Sequence, residues 1–266
     1  IILNEIEQSI KKKIEAVGTP LKDWNIKINR GILTGLNEAF IISKEKRDEL
    51  IKADPKSAEI IRPILRGRDI KRNKIDFQDI YIINSHNGYI SEDGEKIPPI
   101  NINNYPAIKD WLDNGEWNTK PEKGSNYERL ENRTDQGITP YNLRSLSYMD
   151  DFFKPKIIYP ETTQGAYFAL DNKEFMLDKT CFMITNYKNL NYLQCTLSSY
   201  LFEFAYKRIY ASIELGKKGY QYNKYALTKL PIIEHSKNVK LNNNDIFKLY
   251  SLTNEEINYI KSSLDI

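Results

Sequence analysis

Short apolar runs typical of β-strands alternate along this chain with apolar stripes of helical spacing. Strand-like runs occupy residues 80–84, 155–160 and 180–184, whereas residues 3–17 and 190–210 carry helical patterns. The strands and helices are interleaved without the regular rhythm of strand and crossover helix that a parallel sheet requires, so the pattern favours α+β over α/β. We expect a mixed or antiparallel sheet with flanking helices and a C-terminal helical tail.

Local patterns predict individual elements more closely. Residues 26–42 have the pattern of a strand, a tight turn and a second strand, and a helix is expected over 44–53. A further short helix is expected from about 57 to 65. Thr253 and Glu256 have the spacing of a capping box, which predicts that the tail helix begins there.

The composition excludes several classes of protein. Two cysteines and two histidines among 266 residues are too few for a zinc centre at these spacings or for a disulfide scaffold. Reduced, buried cysteines are typical of a cytoplasmic protein. No apolar run is long enough to span a membrane, and the N-terminus lacks the pattern of a signal peptide. The missing initiator methionine suggests a segment of a longer protein.

The sequence also lacks the motifs of common catalytic sites, so no catalytic or metal-binding residue is predicted. The only Gly-Lys pair, at Gly216, has no glycine five residues before it, so there is no Walker A loop. The Pro-Pro-aromatic loop of adenine methyltransferases is missing, and so is a glycine-rich cosubstrate loop. Glu161 and Asp171 form the one carboxylate pair that we consider for metal-dependent hydrolysis. The pattern favours a binding domain over an enzyme.

Cations concentrate in three stretches that also contain aromatic or amide side chains, at residues 62–74, 117–144 and 217–222. The first has six basic residues against one acidic residue, whereas the net charge of the whole chain is only +3. Lysine and arginine neutralise DNA phosphates, and arginine, asparagine and glutamine form hydrogen bonds with base edges. Ordinary solvated surface charge is the alternative interpretation for each stretch taken alone.

The order of several motifs resembles the TaqI-like C-terminal specificity domain of type IIG restriction–modification enzymes and related adenine-specific DNA methyltransferases. The resemblance extends over residues 25–265, and its motifs occur in the order that is typical of the family. They are RGILTGLNEAFII at 30–42, IRPILRGRDI at 61–70, YPAIKDWL at 105–112, RTDQG at 133–137, YNLR at 141–144, PKII at 155–158, LSS at 197–199, LPI at 230–232 and LYSLTNEEI at 249–257.

This resemblance implies a target recognition domain that binds double-stranded DNA and directs an adenine-N6 methyltransferase or restriction enzyme to its site. The catalytic motifs would then lie in a covalently linked methyltransferase domain that binds S-adenosylmethionine, with Mg²⁺ if a nuclease is present. A location in the cytoplasm of a bacterium or archaeon is implied as well. The domain limits expected are a connecting helix over 1–24, the recognition domain over 25–235, and a linker with a C-terminal helix over 236–266.

The family motifs do not identify the residues that contact DNA, so we select candidates by their chemistry. The expected phosphate-binding residues are Arg66, Arg68, Lys71, Arg72, Lys156 and Lys217. The expected base-contacting residues are Arg133, Arg144, Thr163, Gln164, Lys218, Tyr220 and Gln221.

Two other functions stay open at this point. The chain could be a DNA-binding and interaction module like a type I restriction specificity subunit, for which a long coiled-coil helix would be evidence. A metal-dependent nuclease domain using Glu161 and Asp171 is the weaker alternative.

Overall fold

The computed structural model describes residues 2–211 and 219–266. In chain order the α-helices are α1 Glu5–Val17, α2 Asn37–Phe40, α3 Lys44–Ala53, α4 Pro106–Asn114, α5 Asn126–Glu131, α6 Leu190–Leu197, α7 Tyr200–Ala205, α8 Lys224–Leu227, α9 Asn243–Leu249 and α10 Asn254–Ser263. The strands are β1 Thr19–Pro20, β2 Lys27–Arg30, β3 Ile41–Ser43, β4 Ile61–Leu65, β5 Ile70–Lys71, β6 Lys74–Ile75, β7 Ile80–Ile83, β8 Tyr89–Ile90, β9 Lys96–Ile97, β10 Lys156–Pro160, β11 Thr162–Thr163, β12 Ala169–Asp171, β13 Met176–Leu177, β14 Cys181–Thr185, β15 Tyr220–Gln221 and β16 Pro231–Ile232.

A four-stranded antiparallel sheet, in the order β12-β10-β14-β2, lies between two hydrophobic cores. Ile157 pairs with Ile184, and both belong to one core. The next pair along the strands, Ile158 and Met183, belongs to the other core. Successive residues of a strand point to opposite faces, so this sheet is buried on both sides and both cores share it.

The first core contains a second sheet in the order β13-β4-β7-β3, together with the helices α2 to α5. β13 pairs with β4 in parallel, whereas β4 and β7 pair antiparallel, so this sheet is mixed. Mixed and antiparallel sheets with helices outside them confirm the predicted α+β fold.

The second core joins the two ends of the chain. α1 carries the helical stripe predicted over residues 3–17, and its Ile10 and Ile14 are fully buried in this core. Ile260 of α10 lies in the same core. Glu7 of α1, which is also fully buried, accepts hydrogen bonds from Arg208 and Tyr259. Both chain ends therefore pack into a core that also contains Ile28 and Ile157.

Several predicted elements are confirmed at their ends. α3 begins after Ser43, which accepts a hydrogen bond from the Lys46 backbone, and α10 begins with the capping box of Thr253 and Glu256.

Both cysteines are free and buried, and burial raises the pKa of the Cys181 and Cys195 thiols. In the described part of the chain, no helix has both the length and the apolar character that crossing a membrane requires.

The helix expected from 57 to 65 is wrong. A 3₁₀ turn, Pro55–Glu59, is followed by strand β4, which lies between β7 and β13. A short apolar run does not distinguish a helix from a buried strand, and here the two neighbouring strands decide.

Two further differences concern the C-terminal half. The helix expected over 190–210 is interrupted at Ser199, which caps α7, and continues from Ala205 into a π-helical turn, Tyr206–Tyr210. Helix α9 lies in the region interpreted as linker and C-terminal helix.

Candidate nucleic-acid interface

Two distant segments, residues 66–71 and 160–167, form the walls of an open groove of about 580 Å³. We call it the basic groove, and Asp178 and Thr180 complete its lining. The structure thereby brings together five residues that were selected separately from the sequence. They are Arg66, Arg68, Lys71, Thr163 and Gln164.

The first wall is a tight turn after strand β4. The Asp69 carboxylate is buried and accepts hydrogen bonds from the backbone N–H and both Nε and Nη2 of Arg66, at 2.8–3.0 Å. The backbone N–H of Gly67 donates to Thr180 Oγ1 at 2.8 Å. A Cβ at Gly67 would lie 3.2 Å from both Pro160 and Thr180, so the two walls approach closely here because residue 67 is glycine.

Arg68 and Lys71 carry the groove's available positive charge. Both are exposed, and neither forms an ion pair with a described residue. Lys71 Nζ lies 5.9 Å from the ring centroid of Tyr167 on the opposite wall. Arg66 is less available because its guanidinium is already bound to Asp69.

The second wall is the loop 161–167, which begins with strand β11. β11 pairs with β15, so Thr162 faces Gln221 and Thr163 faces Tyr220. The pairing places two further predicted base-contacting residues, Tyr220 and Gln221, beside the groove. Gln164 is exposed, and its side chain forms no hydrogen bond with any described residue.

Arg72 was expected to bind phosphate, but its positive charge is already engaged within the protein. Its guanidinium donates to the Ser198 carbonyl and to the Glu203 carboxylate, and its side chain is 29% exposed. Arg72 therefore connects the segment 66–72 to helix α7.

Thr163 is also placed differently from the expectation. Its side chain is buried, and its hydroxyl donates to the Gly165 carbonyl at 2.8 Å. Thr163 therefore shapes the loop and does not present its hydroxyl to a base.

Lys156 was expected to bind phosphate, and this is wrong because its side chain is fully buried. Its Nζ lies 2.6 Å from Asp171 Oδ2 and 2.6 Å from the Phe152 carbonyl. Burial lowers the pKa of Lys156, and the Asp171 carboxylate opposes this effect. The positive charge of Lys156 is therefore paired with Asp171 inside the sheet that lies between the two cores.

Arg133 is likewise unavailable to a base edge. The residue is buried, and its guanidinium donates to the carbonyls of Leu130, Pro140 and Asn142. Burial lowers the pKa of Arg133 to about 10, so it stays charged at neutral pH while it holds this loop together.

The remaining candidates lie outside the groove. Arg144 is exposed and pairs with Asp135 at 3.1 Å, on the part of the chain that packs around the first core. Lys217 and Lys218 lie outside the described residues.

Sequence reasoning missed Arg30. Its Nη2 lies 2.5 Å from the Glu161 carboxylate at the start of the loop 161–167, and its Nε donates to the Lys179 carbonyl. Gln221 Nε2 also donates to Glu161, at 3.4 Å. Arg30 and Glu161 are 131 positions apart in the sequence, so no local pattern could predict their contact.

Each carboxylate of the pair considered for metal-dependent hydrolysis is bound to a cationic side chain. Glu161 is bound to Arg30, whereas Asp171 is buried against Lys156. Among the described residues, no three His, Cys, Asp or Glu side chains form a group that could hold a metal ion.

Residues 62–232 match the family model of the TaqI-like C-terminal specificity domain. The chain belongs to this family. The match includes both walls of the basic groove and extends over well more than half of the chain. The comparison with curated proteins gives no match.

Two solved structures are similar to this specificity domain. The type IIG restriction endonuclease BpuSI has a TM-score of 0.50 and 11% identity, covering 98% of this chain and 32% of that chain. The type IIL restriction–modification enzyme MmeI, solved in complex with DNA, has a TM-score of 0.48 and 13% identity, covering 77% of this chain and 24% of that chain. The specificity domain therefore spans about a third or less of the length of these structures.

Proposed function

We propose that this specificity domain recognises a DNA sequence by placing the basic groove against double-stranded DNA. The observation that carries the proposal is the convergence of Arg68 and Lys71 with the exposed Gln164 in one groove of a protein that belongs to this family. Cations bind phosphates of any sequence, whereas amides distinguish base edges, and the groove contains both kinds of group.

We assign phosphate and base contacts to the side chains of the groove according to how free each one is to bind DNA. Arg68 and Lys71 bind phosphates, and Arg66 adds a contact through the part of its guanidinium left free by Asp69. Gln164 contacts a base edge directly. Gln221 and Tyr220 of β15 lie beside it, and Gln221 contacts a base by exchanging its 3.4 Å hydrogen bond with Glu161 for one with the base. Arg144 contacts DNA at a second place, outside the groove.

We further propose that the parent protein is an adenine-specific DNA methyltransferase, with or without a nuclease. Its methyltransferase domain would bind S-adenosylmethionine and methylate a flipped adenine, and Mg²⁺ would be needed only for a nuclease. The name of the BpuSI structure, a type IIG restriction endonuclease, agrees with such a parent. The cytoplasm of a bacterium or archaeon is the corresponding location.

The alternative of a type I specificity subunit receives less support. It would be favoured by a long coiled-coil helix, and α1, the longest helix among the described residues, has 13 residues.

The proposal is tested by selecting duplexes from a random-sequence pool with this chain, followed by binding measurements at several salt concentrations. We expect an enriched sequence motif and an affinity that falls steeply with salt. A pool without any enriched sequence would contradict the proposed function.

A further inference from the structure

A cluster of three charged side chains lies directly beneath the loop 161–167. Glu203 of α7 is 5% exposed, and both of its carboxylate oxygens are occupied. Oε2 accepts from Arg72, and Oε1 accepts from Lys207 Nζ at 2.7 Å. A buried carboxylate with two cationic partners is held in place, because any displacement would break a charge-assisted hydrogen bond in a poorly solvated site.

The cluster contacts the main chain of the loop at two consecutive residues. Lys207 Nζ donates to the Gln164 carbonyl at 3.0 Å. At the next residue, a Cβ on Gly165 would lie 3.0 Å from Glu203 Oε1 and 3.3 Å from Arg72 Nη2. The backbone of the loop therefore rests on the cluster, and the glycine permits this close packing.

Lys207 also reaches the strand that pairs with the loop. Its Nζ lies 4.6 Å from the ring centroid of Tyr220 on β15. Lys207 belongs to the π-helical turn Tyr206–Tyr210, in which the Ala211 N–H donates to the Tyr206 carbonyl. Such turns occur frequently at functional sites. One lysine thus connects helix, loop and strand.

The loop presents few side chains outward from this fixed backbone. Thr163 is buried, whereas Thr162 and Gln164 are exposed on either side of it. Lys207 of the cluster binds the backbone carbonyl of Gln164, whereas the side-chain amide of Gln164 forms no hydrogen bond with a described residue. The backbone of Gln164 is therefore fixed while its amide stays available for a ligand. A glutamine amide pairs bidentately with the N6 and N7 edge of adenine.

We propose that Glu203 and Lys207 are positioning residues that hold Gln164 for the recognition of one adenine in the major groove. This inference rests on the proposed function of the basic groove. Neither residue touches the DNA. They act through the backbone of the loop, so their removal loosens the discrimination that Gln164 provides.

The experiment compares selections from a random duplex pool by the wild-type chain, by three test variants and by two control variants. Gln164→Ala should relax one A·T position of the enriched motif and leave the others. Lys207→Met should relax the same position, lowering discrimination there about 5- to 150-fold. Glu203→Gln should act at that position too, and Lys207→Met is the second variant in case Glu203→Gln does not fold.

Two controls separate positioning from general stability. Lys207→Arg keeps a donor within reach of Glu203 and should restore most of the discrimination. Lys109→Met removes a lysine that has similar partners elsewhere, since Lys109 binds Asp113 four residues away and lies 5.4 Å from the Tyr141 ring centroid. It should leave the motif unchanged.

The outcomes distinguish the two proposals. If the wild-type chain enriches no motif, the proposed function fails and the positioning role fails with it. If the wild-type chain enriches a motif that Lys207→Met leaves unchanged or weakens equally at every position, only the positioning role is overturned. A Gln164→Ala variant that relaxes no position would overturn the assignment of adenine to Gln164.

Discussion

Lys156 Nζ and Asp171 Oδ2 lie 2.6 Å apart across the register pair that joins β10 to β12, and neither side chain has any exposed surface. Lys156→Met would leave the Asp171 carboxylate buried without its cation. We expect a loss of about 3–5 kcal/mol in the free energy of unfolding, measured by urea denaturation. Lys173→Met, at an exposed neighbouring position, should change it by less than about 0.5 kcal/mol. A Lys156→Met variant as stable as the wild type would contradict the importance of this pair.

The contacts between α1 and the C-terminal half should make stability depend on pH. Burial alone would raise the pKa of Glu7, but hydrogen bonds from Arg208, the Asn4 backbone and Tyr259 outweigh burial and lower it below the ordinary value of 4.5. A carboxyl whose pKa is lowered in the folded state stabilises the fold above its unfolded pKa and loses this contribution as the pH falls through the folded pKa.

Glu7→Gln should therefore lower the free energy of unfolding by about 1.5–3 kcal/mol at pH 7. The difference from the wild type should begin to shrink below the ordinary carboxyl pKa of 4.5, where the carboxyl of the unfolded chain takes up a proton, and should disappear as the pH falls through the lowered pKa of the folded state. Urea denaturation at pH 7, 5 and 3 measures this change. A difference that stays constant across these pH values would show that Glu7 acts through its shape and not through its charge.

The cations of the basic groove should differ in how they affect salt dependence. Arg68→Ala and Lys71→Ala should each reduce the slope of log affinity against log salt by about 0.9, the effect of losing one phosphate contact. Lys109→Met is the control and should leave the slope unchanged, because Lys109 lies outside the groove and pairs with Asp113. Fluorescence anisotropy with a random duplex supplies the measurement. Equal slopes for Arg68→Ala and the wild type would remove Arg68 from the phosphate-binding set.

Glu161 places a negative charge in the groove and binds Arg30, so removing that charge should strengthen binding to DNA of any sequence. We expect Glu161→Gln to raise the affinity for a random duplex and to steepen its salt dependence by up to about 0.9, as Arg30 becomes free for a phosphate.

Glu174→Gln is the matched control because Glu174 pairs with Arg62 at 3.4 Å and does not line the groove. It should leave both quantities unchanged. A weaker affinity after Glu161→Gln would show that Glu161 mainly orients Arg30 for its DNA contact.

The sequence predicted those parts of the fold whose patterns are local. The strands β7, β10 and β14 follow from continuous apolar runs, and α10 follows from its capping box. β4 was predicted as a helix because only its pairing with β7 and β13 makes it a strand.

The same distinction explains which groove residues were found. The charge excess around Arg68 is visible in a single stretch, and Gln164 stands out as an amide in a turn. The contacts of Glu203 and Arg30 join residues more than 100 positions apart, which no local pattern reveals. Lysine is seldom fully buried, so the sequence around Lys156 does not indicate that its charge is paired with Asp171 on the adjacent strand.

The strands shared by the two cores affect how specificities could be exchanged between relatives. A chimera that joined the first half of this chain to the second half of another would pair foreign strands within one sheet and pack foreign side chains on both of its faces. Exchanging the outward side chains of the loop 161–167, while keeping the charged cluster beneath it, would leave that sheet intact. New sequence preferences should therefore be easier to obtain by altering this short loop than by recombining halves of the molecule.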